Sequence, residues 1–482
     1  MILLVLIITP FVAAMILAFI GDRKVAPVIN IFSSFLTFLA GIALAVEVFR
    51  HGQFVAGGKF FFVDAFNVYL SVLTAFVSMT TAVFSRRYMQ REKDHGKVGH
   101  TRMRFYHAMF QMFIFAMLLC LLTNNIGVLW IAMELATLST VLLVSLYRTP
   151  NAIEAAWKYF ILCGVGIAQA LFGTVLLYFA AEKVIGEGGE ALLWTNLIEV
   201  SGSLEPTVLS LAFVFLVVGY GTKVGLVPLH NWLPDAHSEG PTPISAVLSG
   251  LLLNIALYAL VRCKVLVDGS THTHYAGNIM MGFGIISILV ASFSILRQKD
   301  IKRMFSYSSI EHMGIATFAF GLGGSIATFG ALLHMLMHSI TKSSIFFTVG
   351  HVCQMNQTQE ISRIKGLFKG DPFTGWSLML GAMAIAGMPP FGIFTSEFLI
   401  LTATIKDVPL LTPLILIGLA VAFAGLLRKV QYMVSGDIPS YFKQLKTART
   451  PVILHMALVL ALAFYMPAFL YKWFQAAVEL LK

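Results

Sequence analysis

The stretch Phe215-Leu-Val-Val-Gly-Tyr-Gly-Thr-Lys223-Val-Gly-Leu-Val-Pro228 sets one lysine inside an apolar run, and the chain then opens into Leu229-His-Asn-Trp-Leu-Pro-Asp-Ala-His237. A charge at bilayer depth costs at least roughly 2.5–3.5 kcal/mol even on lenient insertion scales, so a lysine kept there needs a partner or a task. The rest of the chain supports a bilayer setting. Of 482 residues, 58% are hydrophobic and 12% charged, and mean hydropathy is +0.84. That is more apolar surface than a soluble core of this length uses, and it marks an integral membrane protein. Apolar runs of about 20 residues cross hydrocarbon as helices. About fourteen fall near 2–20, 26–46, 61–84, 106–122, 125–147, 155–180, 207–228, 242–263, 277–296, 303–322, 325–350, 374–400, 409–432 and 451–473. The first run lacks a basic n-region and a small-residue cleavage site, so it reads as a retained helix.

Loop charge sets an orientation. The segment from Ser85-Arg86-Arg87 to Arg104 is the most basic in the chain, which places it in the cytoplasm. Alternation puts Arg148, Arg297 to Arg303, Arg363 to Lys369 and the 428–449 segment on the same side, and the Lys/Arg-poor loops at 183–206, 264–276 and 404–408 outside with both termini. The net charge of +10 is then a topology signal, and no nucleic-acid partner is needed to explain it. Cys120, Cys163, Cys263 and Cys353 are isolated in apolar surroundings with no CxxC pair, and no nucleotide loop follows a strand pattern. The chain is expected to carry no catalytic residue, metal or cofactor of its own.

What it carries instead is a set of ionisable residues at depth. Glu134 sits in Gly127-Val-Leu-Trp-Ile-Ala-Met-Glu134-Leu-Ala-Thr-Leu-Ser-Thr140, near the middle of its span. Glu311 and His312 lie in the tenth span; His334, His338 and Lys342 follow at a spacing of four on one stripe of the eleventh. Glu397 closes the set after Pro389-Pro390. Lipid does not solvate such a stripe, so it must face protein or water. The seventh span is interrupted at Pro228 and the twelfth at Pro389-Pro390. Paired interrupted spans point to a pseudo-symmetric core, and the odd period of five between them implies inversion. The expected fold is therefore all-α: a polytopic membrane protein of about 14 transmembrane helices, with two inverted five-helix repeats and broken helices at spans 7 and 12. Its parts are an N-terminal three-helix segment with the basic loop (1–104), a first repeat (105–265), a second repeat (276–435) and a C-terminal helix (450–482). This mapping pairs Glu134 with the Glu311-His312 region, and Lys223 with Glu397.

Several long motifs then occur in order: Trp130-Ile-Ala-Met-Glu134, Lys223-Val-Gly-Leu-Val-Pro-Leu-His230-Asn-Trp-Leu-Pro-Asp235-Ala-His237, Pro241-Thr-Pro-Ile-Ser-Ala246, Tyr307-Ser-Ser-Ile-Glu-His312, His338, and Pro389-Pro390-Phe391 with Glu397. Over roughly residues 60–435 the chain resembles the antiporter-like proton-pumping subunits of respiratory complex I, multi-subunit cation/proton antiporters and membrane-bound hydrogenases. The resemblance implies that the glutamate of the fifth span pairs with the lysine of the seventh and that a polar axis continues through spans eight, eleven and twelve. Those roles fall to Glu134, Lys223, His338 and Glu397. Where many members have a titratable residue in the eighth span, this chain has Asn254, which holds water but does not titrate. Asn254 with His334, His338 and Lys342 is most similar to the hydrogenase-4 component F branch.

The expected function is proton movement across a bacterial or archaeal inner membrane, driven by redox chemistry in partner subunits. The expected partners are further membrane subunits, a peripheral redox arm, the lipid bilayer and protons, with sodium as the alternative ion. A cation/proton antiporter subunit without a redox partner and a non-conducting membrane scaffold are the competing readings. His230, Asp235 and His237 read equally as the lining of a proton entrance or as pins for the loop, and His312 and His334 equally as relays or as interhelical hydrogen-bonding groups. Arg262 and Lys264 read as snorkelling anchors, and Asp64 as interfacial.

Overall fold

A computed structural model describes residues 1–481. In chain order its helices are α1 (Ile2–Ile20), α2 (Ala26–His51), α3 (Ala65–Asp94), α4 (His100–Leu122), α5 (Ile126–Val144), α6 (Pro150–Ile185), α7 (Trp194–Glu199), α8 (Pro206–Val224), α9 (Trp232–Glu239) and α10 (Thr242–Val247). They continue with α11 (Leu253–Thr271), α12 (Tyr275–Arg297), α13 (Ile301–Leu322), α14 (Gly324–Asn356), α15 (Leu367–Gly370), α16 (Pro372–Ile385), α17 (Gly392–Asp407), α18 (Thr412–Val434), α19 (Arg449–Phe464) and α20 (Ala468–Leu480). A π-helical turn, Leu248–Leu252, joins α10 to α11. A small hairpin of β1 (Phe54–Ala56) and β2 (Phe61–Val63) precedes α3, with Val55 opposite Phe62.

Among the described residues, ten helices are long and apolar enough to cross a membrane, or eleven if the bent pair α19–α20 is one span. This is fewer than the fourteen read from the sequence. The expected spans 303–322 and 325–350 coincide with α13 and α14. Both fall outside the apolar set because they carry Ser306, Ser308, Ser309, Glu311 and His312, and His334, His338, Lys342 and His351, respectively. Those polar side chains are tolerable because they point inward. The segment Thr242–Thr271 is wholly buried across its apolar window, whereas 33% of that of Pro409–Val434 is. Helices α10, α11, α13 and α14 thus form the centre of the bundle, and α1, α2, α6, α12 and α18 present its apolar flanks.

Four local readings change. The basic segment read as a loop is mostly helix: α3 runs to Asp94 and α4 starts at His100. The C-terminal span read as one helix is two, with a bend of 81°, because Pro467 has no N–H with which to continue α19. Arg262 does not snorkel; it is 3% exposed and ion-paired to a fully buried Asp64 at 2.5 Å. Lys264 pairs with Asp268 at 2.5 Å, one helical turn along.

The fourth change concerns the interrupted spans. Helix α8 ends before Pro228, at Gly225, which is left-handed with φ +82. The Leu226 N–H donates to the Gly221 carbonyl at 2.9 Å and the Gly225 N–H to the Thr222 carbonyl at 3.2 Å, the two bonds of a Schellman terminus. Helix α16 ends the same way. Gly387 has φ +70, the Met388 N–H donates to Met383 at 3.1 Å and the Gly387 N–H to Ala384 at 3.4 Å. In each case a proline, Pro228 or Pro390, lies three residues beyond the glycine and follows a cis peptide bond. The glycine stops the helix, and the proline prevents it from resuming. Counting from these glycines gives a position-by-position comparison of the two breaks. Lys223, two residues before Gly225, matches Ile385; Glu397, ten residues after Gly387, matches Asp235.

A side chain at Gly387 would be strained by its φ and would run into the Glu397 carboxylate. Gly225→Ala meets the φ penalty, roughly 1–2 kcal/mol, and a tight contact at 3.2 Å with the end of the Leu233 side chain, which must give slightly. Thermal unfolding of the detergent-solubilised protein should therefore show both variants destabilised, Gly387→Ala more than Gly225→Ala.

Candidate functional site

Lys223 lies in the last turn of α8, where the partial negative charge of the helix C-terminus favours a cation. Its side chain is 0% exposed and its Nζ is 3.7 Å from Glu134 Oε2 on α5, whose side chain is 23% exposed. The ammonium also donates a hydrogen bond to Thr137 Oγ1, one turn along α5 from Glu134. The Thr137 hydroxyl spends its own proton on the Met133 carbonyl at 3.0 Å, so its lone pairs are free for the lysine. Lys223 thus rests on a neutral acceptor, with the carboxylate just beyond hydrogen-bond distance. The surrounding wall is fixed. Trp232 Nε1 donates to the Thr222 carbonyl at 2.8 Å, closing the end of α8. Tyr159 of α6 stacks on Trp232 at 4.4 Å between centroids, and its hydroxyl meets Thr140 Oγ1 of α5 at 2.7 Å.

A second polar group occupies the centre. π-Turns loosen the backbone ladder, and here the Gly250 carbonyl accepts from Ser339 Oγ at 2.5 Å and from Asn254 Nδ2 at 3.3 Å. Asn254 Nδ2 also donates to Ser339 Oγ at 2.6 Å, which ties α11 to α14. Beside it, Ser249 and Ser309 share a hydrogen bond of 2.7 Å. Lys342, one turn further on α14, donates to the Phe305 carbonyl at 2.7 Å. Among the described residues no hydrogen bond joins Lys223 to Asn254.

The third group is a histidine cluster. His312 Nδ1 and His334 Nε2 lie 3.1 Å apart, and His334 Nδ1 meets Ser396 Oγ at 2.9 Å. The ring of His338 is 5.5 Å from that of His312, and both its nitrogens are buried without a partner. Glu397, on α17 next to Ser396, is buried, and its Oε1 has no partner either. His312, His334 and Glu397 place one donor atom each within 4.8 Å of one another. This is a set able to hold a transition metal, and its groups are equally of the kind that can pass protons.

The chain matches the family described as NADH:quinone oxidoreductase/Mrp antiporter, TM, over residues 123–425. It is 46% identical to the hydrogenase-4 component F homolog of Methylacidiphilum infernorum across 476 residues, covering 99% of each chain. The chain belongs to this antiporter-like family. Two solved structures share its fold. One is from the membrane-bound sulfane sulfur reductase, an archaeal respiratory membrane complex (TM-score 0.89, 24% identity, 99% of this chain and 97% of that chain). The other is from the Mrp complex of Dietzia sp. DQ12-45-1b (TM-score 0.85, 17% identity, 100% and 97%). The protein is accordingly a multi-pass, antiporter-like membrane subunit.

Of the residues selected from the sequence, the structure brings together Glu134 with Lys223, and His312 with His334, His338 and Glu397. Glu311 is buried with Oε2 unpartnered. Asp235 stands apart: it pairs with Arg303 and with Lys158, the latter at 3.3 Å, near the end of α13 that adjoins the basic segment. His230 packs edge-on to Tyr307 at 6.0 Å, and His237 stacks on Phe346 at 5.0 Å with both nitrogens buried and unpartnered. Sequence reading missed Thr137, Ser339 and Lys302. Thr137 was detectable as the polar residue three positions after Glu134. Ser339 carries no such signal, since serines are common helix-contact residues in membranes. Lys302, buried, donates to the Ser238 and Gly240 carbonyls at 2.8 and 2.7 Å. It borders an open cavity of about 810 Å³ that Glu92 and Glu239 also line.

Thr137→Val keeps the shape of the side chain and removes the acceptor that Lys223 uses. A buried donor left unsatisfied costs about 1–3 kcal/mol, so the variant should melt at a lower temperature, and the Lys223 ammonium should shift toward Glu134. The melting scan checks the first outcome and a structure of the variant the second.

Proposed function

We propose that this chain translocates protons as an antiporter-like subunit of a redox-driven membrane complex, with about fourteen spans that include two inverted five-helix repeats. The observation that carries the reading is the wholly buried Lys223 held between neutral Thr137 and a carboxylate at 3.7 Å. A buried ammonium gives up its proton when its stabilising charge leaves and keeps it when the charge returns. A conformational or charge signal that moves Glu134 therefore switches Lys223 between loading and releasing. The released proton travels along the central helices, past Asn254 and Ser339, to His338, the His312–His334 pair and Glu397. Asn254 does not hold the proton; it orients water between groups that do. His230, Asp235, His237 and Lys342 supply entry and bridging on the side of the basic segment, which is taken as cytoplasmic.

Similarity to the hydrogenase-4 component F homolog supports a redox-driven complex with a peripheral electron-transfer arm. The fold shared with a chain of the Mrp complex supports the second reading, a cation/proton antiporter subunit without redox partners. Purification of the native complex decides between them: hydrogenase or quinone-reductase subunits favour the first, small hydrophobic antiporter subunits the second.

Lys223→Ala in reconstituted vesicles tests the mechanism itself. Assembly should survive, because a glutamate left at depth without its cation can take up a proton and stay neutral. Driven proton uptake should fall to the level of vesicles without the protein. Unimpaired pumping in Lys223→Ala, together with Glu134→Gln and Glu397→Gln, would instead identify a scaffold.

A further inference from the structure

Asn254, Tyr258 and Arg262 follow one another at a spacing of four along α11. They form a stripe that climbs about 12 Å from the centre of the bundle toward the face opposite the basic segment. The stripe runs from the central polar track toward that face without passing Glu397; midway the Tyr258 hydroxyl donates to the Leu121 carbonyl at 3.0 Å, and Arg262 stands at the far end.

That end is built with care. Arg262 Nη2 donates to Asp64 Oδ2 at 2.5 Å, and the guanidinium lies 4.3 Å from the Trp194 ring, 5.0 Å from Tyr258, 5.5 Å from Phe66 and 5.6 Å from Phe62. The other oxygen of Asp64 caps α3, accepting from the Phe66 and Asn67 N–H groups at 2.9 Å each, while the Asn67 side chain accepts from the Asp64 N–H. The carboxylate is therefore locked and cannot follow a passing charge. Beside the pair is a cavity of about 20 Å³ bordered by Arg262, Trp194 and Tyr258, room for a single water. Arg262 Nη1 is buried without a partner.

A guanidinium does not release its proton, so Arg262 is no relay station. Its charge is only partly cancelled. The Asp64 carboxylate also neutralises the N-terminus of α3, worth roughly half a positive charge, so the site as a whole stays positive. A water beside it must turn its oxygen toward the cation, and a water so oriented does not accept a proton arriving from beyond. The same device excludes protons from water-filled pores lined by a fixed arginine.

We propose that the Arg262–Asp64 pair is an electrostatic seal that closes the α11 flank of the central polar track to protons, leaving Glu397 as its connection to that face of the membrane. The seal rests on the proton-translocating reading above. It prevents a shunt from the face opposite the basic segment back to Asn254, which would dissipate any gradient the complex builds.

The test is passive permeability. The purified complex is reconstituted into liposomes with an entrapped pH indicator, a pH gradient is imposed without turnover, and its decay is followed. Arg262→Met alone strands Asp64, so the informative protein is the double variant Arg262→Met/Asp64→Asn, which removes both charges and keeps an N-cap acceptor for α3. It should leak several-fold faster than the unmodified complex. Arg262→Lys, which keeps the charge, should stay near the unmodified rate, and adding Asn254→Leu to the double variant should restore tightness. A double variant as tight as the unmodified complex overturns the seal. So does a leak that persists with Asn254→Leu, or an Arg262→Lys protein that leaks as fast as the double variant. Driven uptake by Lys223→Ala is read separately: its failure to fall overturns the functional reading, whereas a tight double variant overturns the seal alone.

Discussion

The Lys223 ammonium, buried at the C-terminus of α8, is the constraint on which the rest of the bundle depends. An isolated charge at that depth is tolerable only if its surroundings supply acceptors before any function begins. Three stabilising groups are present: the partial negative charge at the C-terminus of α8, the Thr137 hydroxyl and the Glu134 carboxylate. The first requires α8 to end where it does, which calls for Gly225 in a left-handed conformation and for Trp232 to cover the Thr222 carbonyl. The indole in turn requires Tyr159 against its face, and Tyr159 requires Thr140. Helices α5, α6, α8 and α9 are thus joined around one ammonium. Of the three, the carboxylate alone carries a full charge and reaches the molecular surface.

The same backbone device recurs at Gly387 with different chemistry around it. A Schellman terminus with a proline three residues on interrupts both spans, yet the position of Lys223 is taken by Ile385 and that of Asp235 by Glu397. At the first break a cation sits before the glycine and the later acid is tied to Arg303 and Lys158 near the surface. At the second there is no cation, and the acid folds back against Gly387 next to the histidine cluster. One interrupted helix therefore presents a positive group to the centre and the other a carboxyl. A glycine at 387 is needed for a reason of its own, since the carboxyl group occupies the space a side chain would take.

Charges in apolar runs were legible because each is costly enough to stand out: Glu134, Lys223, His334, His338, Lys342 and Glu397 all announce themselves against leucine and valine. Their pairing was legible only through motif resemblance. The structure adds what neutral groups do, and those carry little sequence signal. Thr137 and Ser339 look like ordinary small residues of packed membrane helices, each able to satisfy itself on a carbonyl one turn back. The interruption of α8 was placed at the proline, the more conspicuous residue, whereas the glycine three positions earlier ends the helix. Arg262 was misplaced because its partner Asp64 is 198 residues away, and loop charge alone favours an exposed anchor near a helix end. Helices α13 and α14 show the converse: read as spans from the sequence, they are too polar to qualify by hydropathy alone, because their polar side chains are turned to the interior.

The gap between Lys223 and Asn254 follows from the same economy. A titratable group there would have to be held neutral or charged, and a second charge near Lys223 would compete with Glu134 for control of it. At about 4 Å in a partly polar interior, a unit charge acts on another with roughly 4 kcal/mol, several times a typical net neutral hydrogen bond of about 1 kcal/mol. Hydroxyl and amide groups such as Ser249, Ser309, Asn254 and Ser339 orient water without adding to that field. These neutral groups add no charge beside Lys223, so Glu134 at 3.7 Å remains its ion-pair partner, while the cation of the central group, Lys342, is tied to the Phe305 carbonyl. In the proposed mechanism control and conduction are divided: charge governs at the two ends, and hydrogen-bond geometry governs between them.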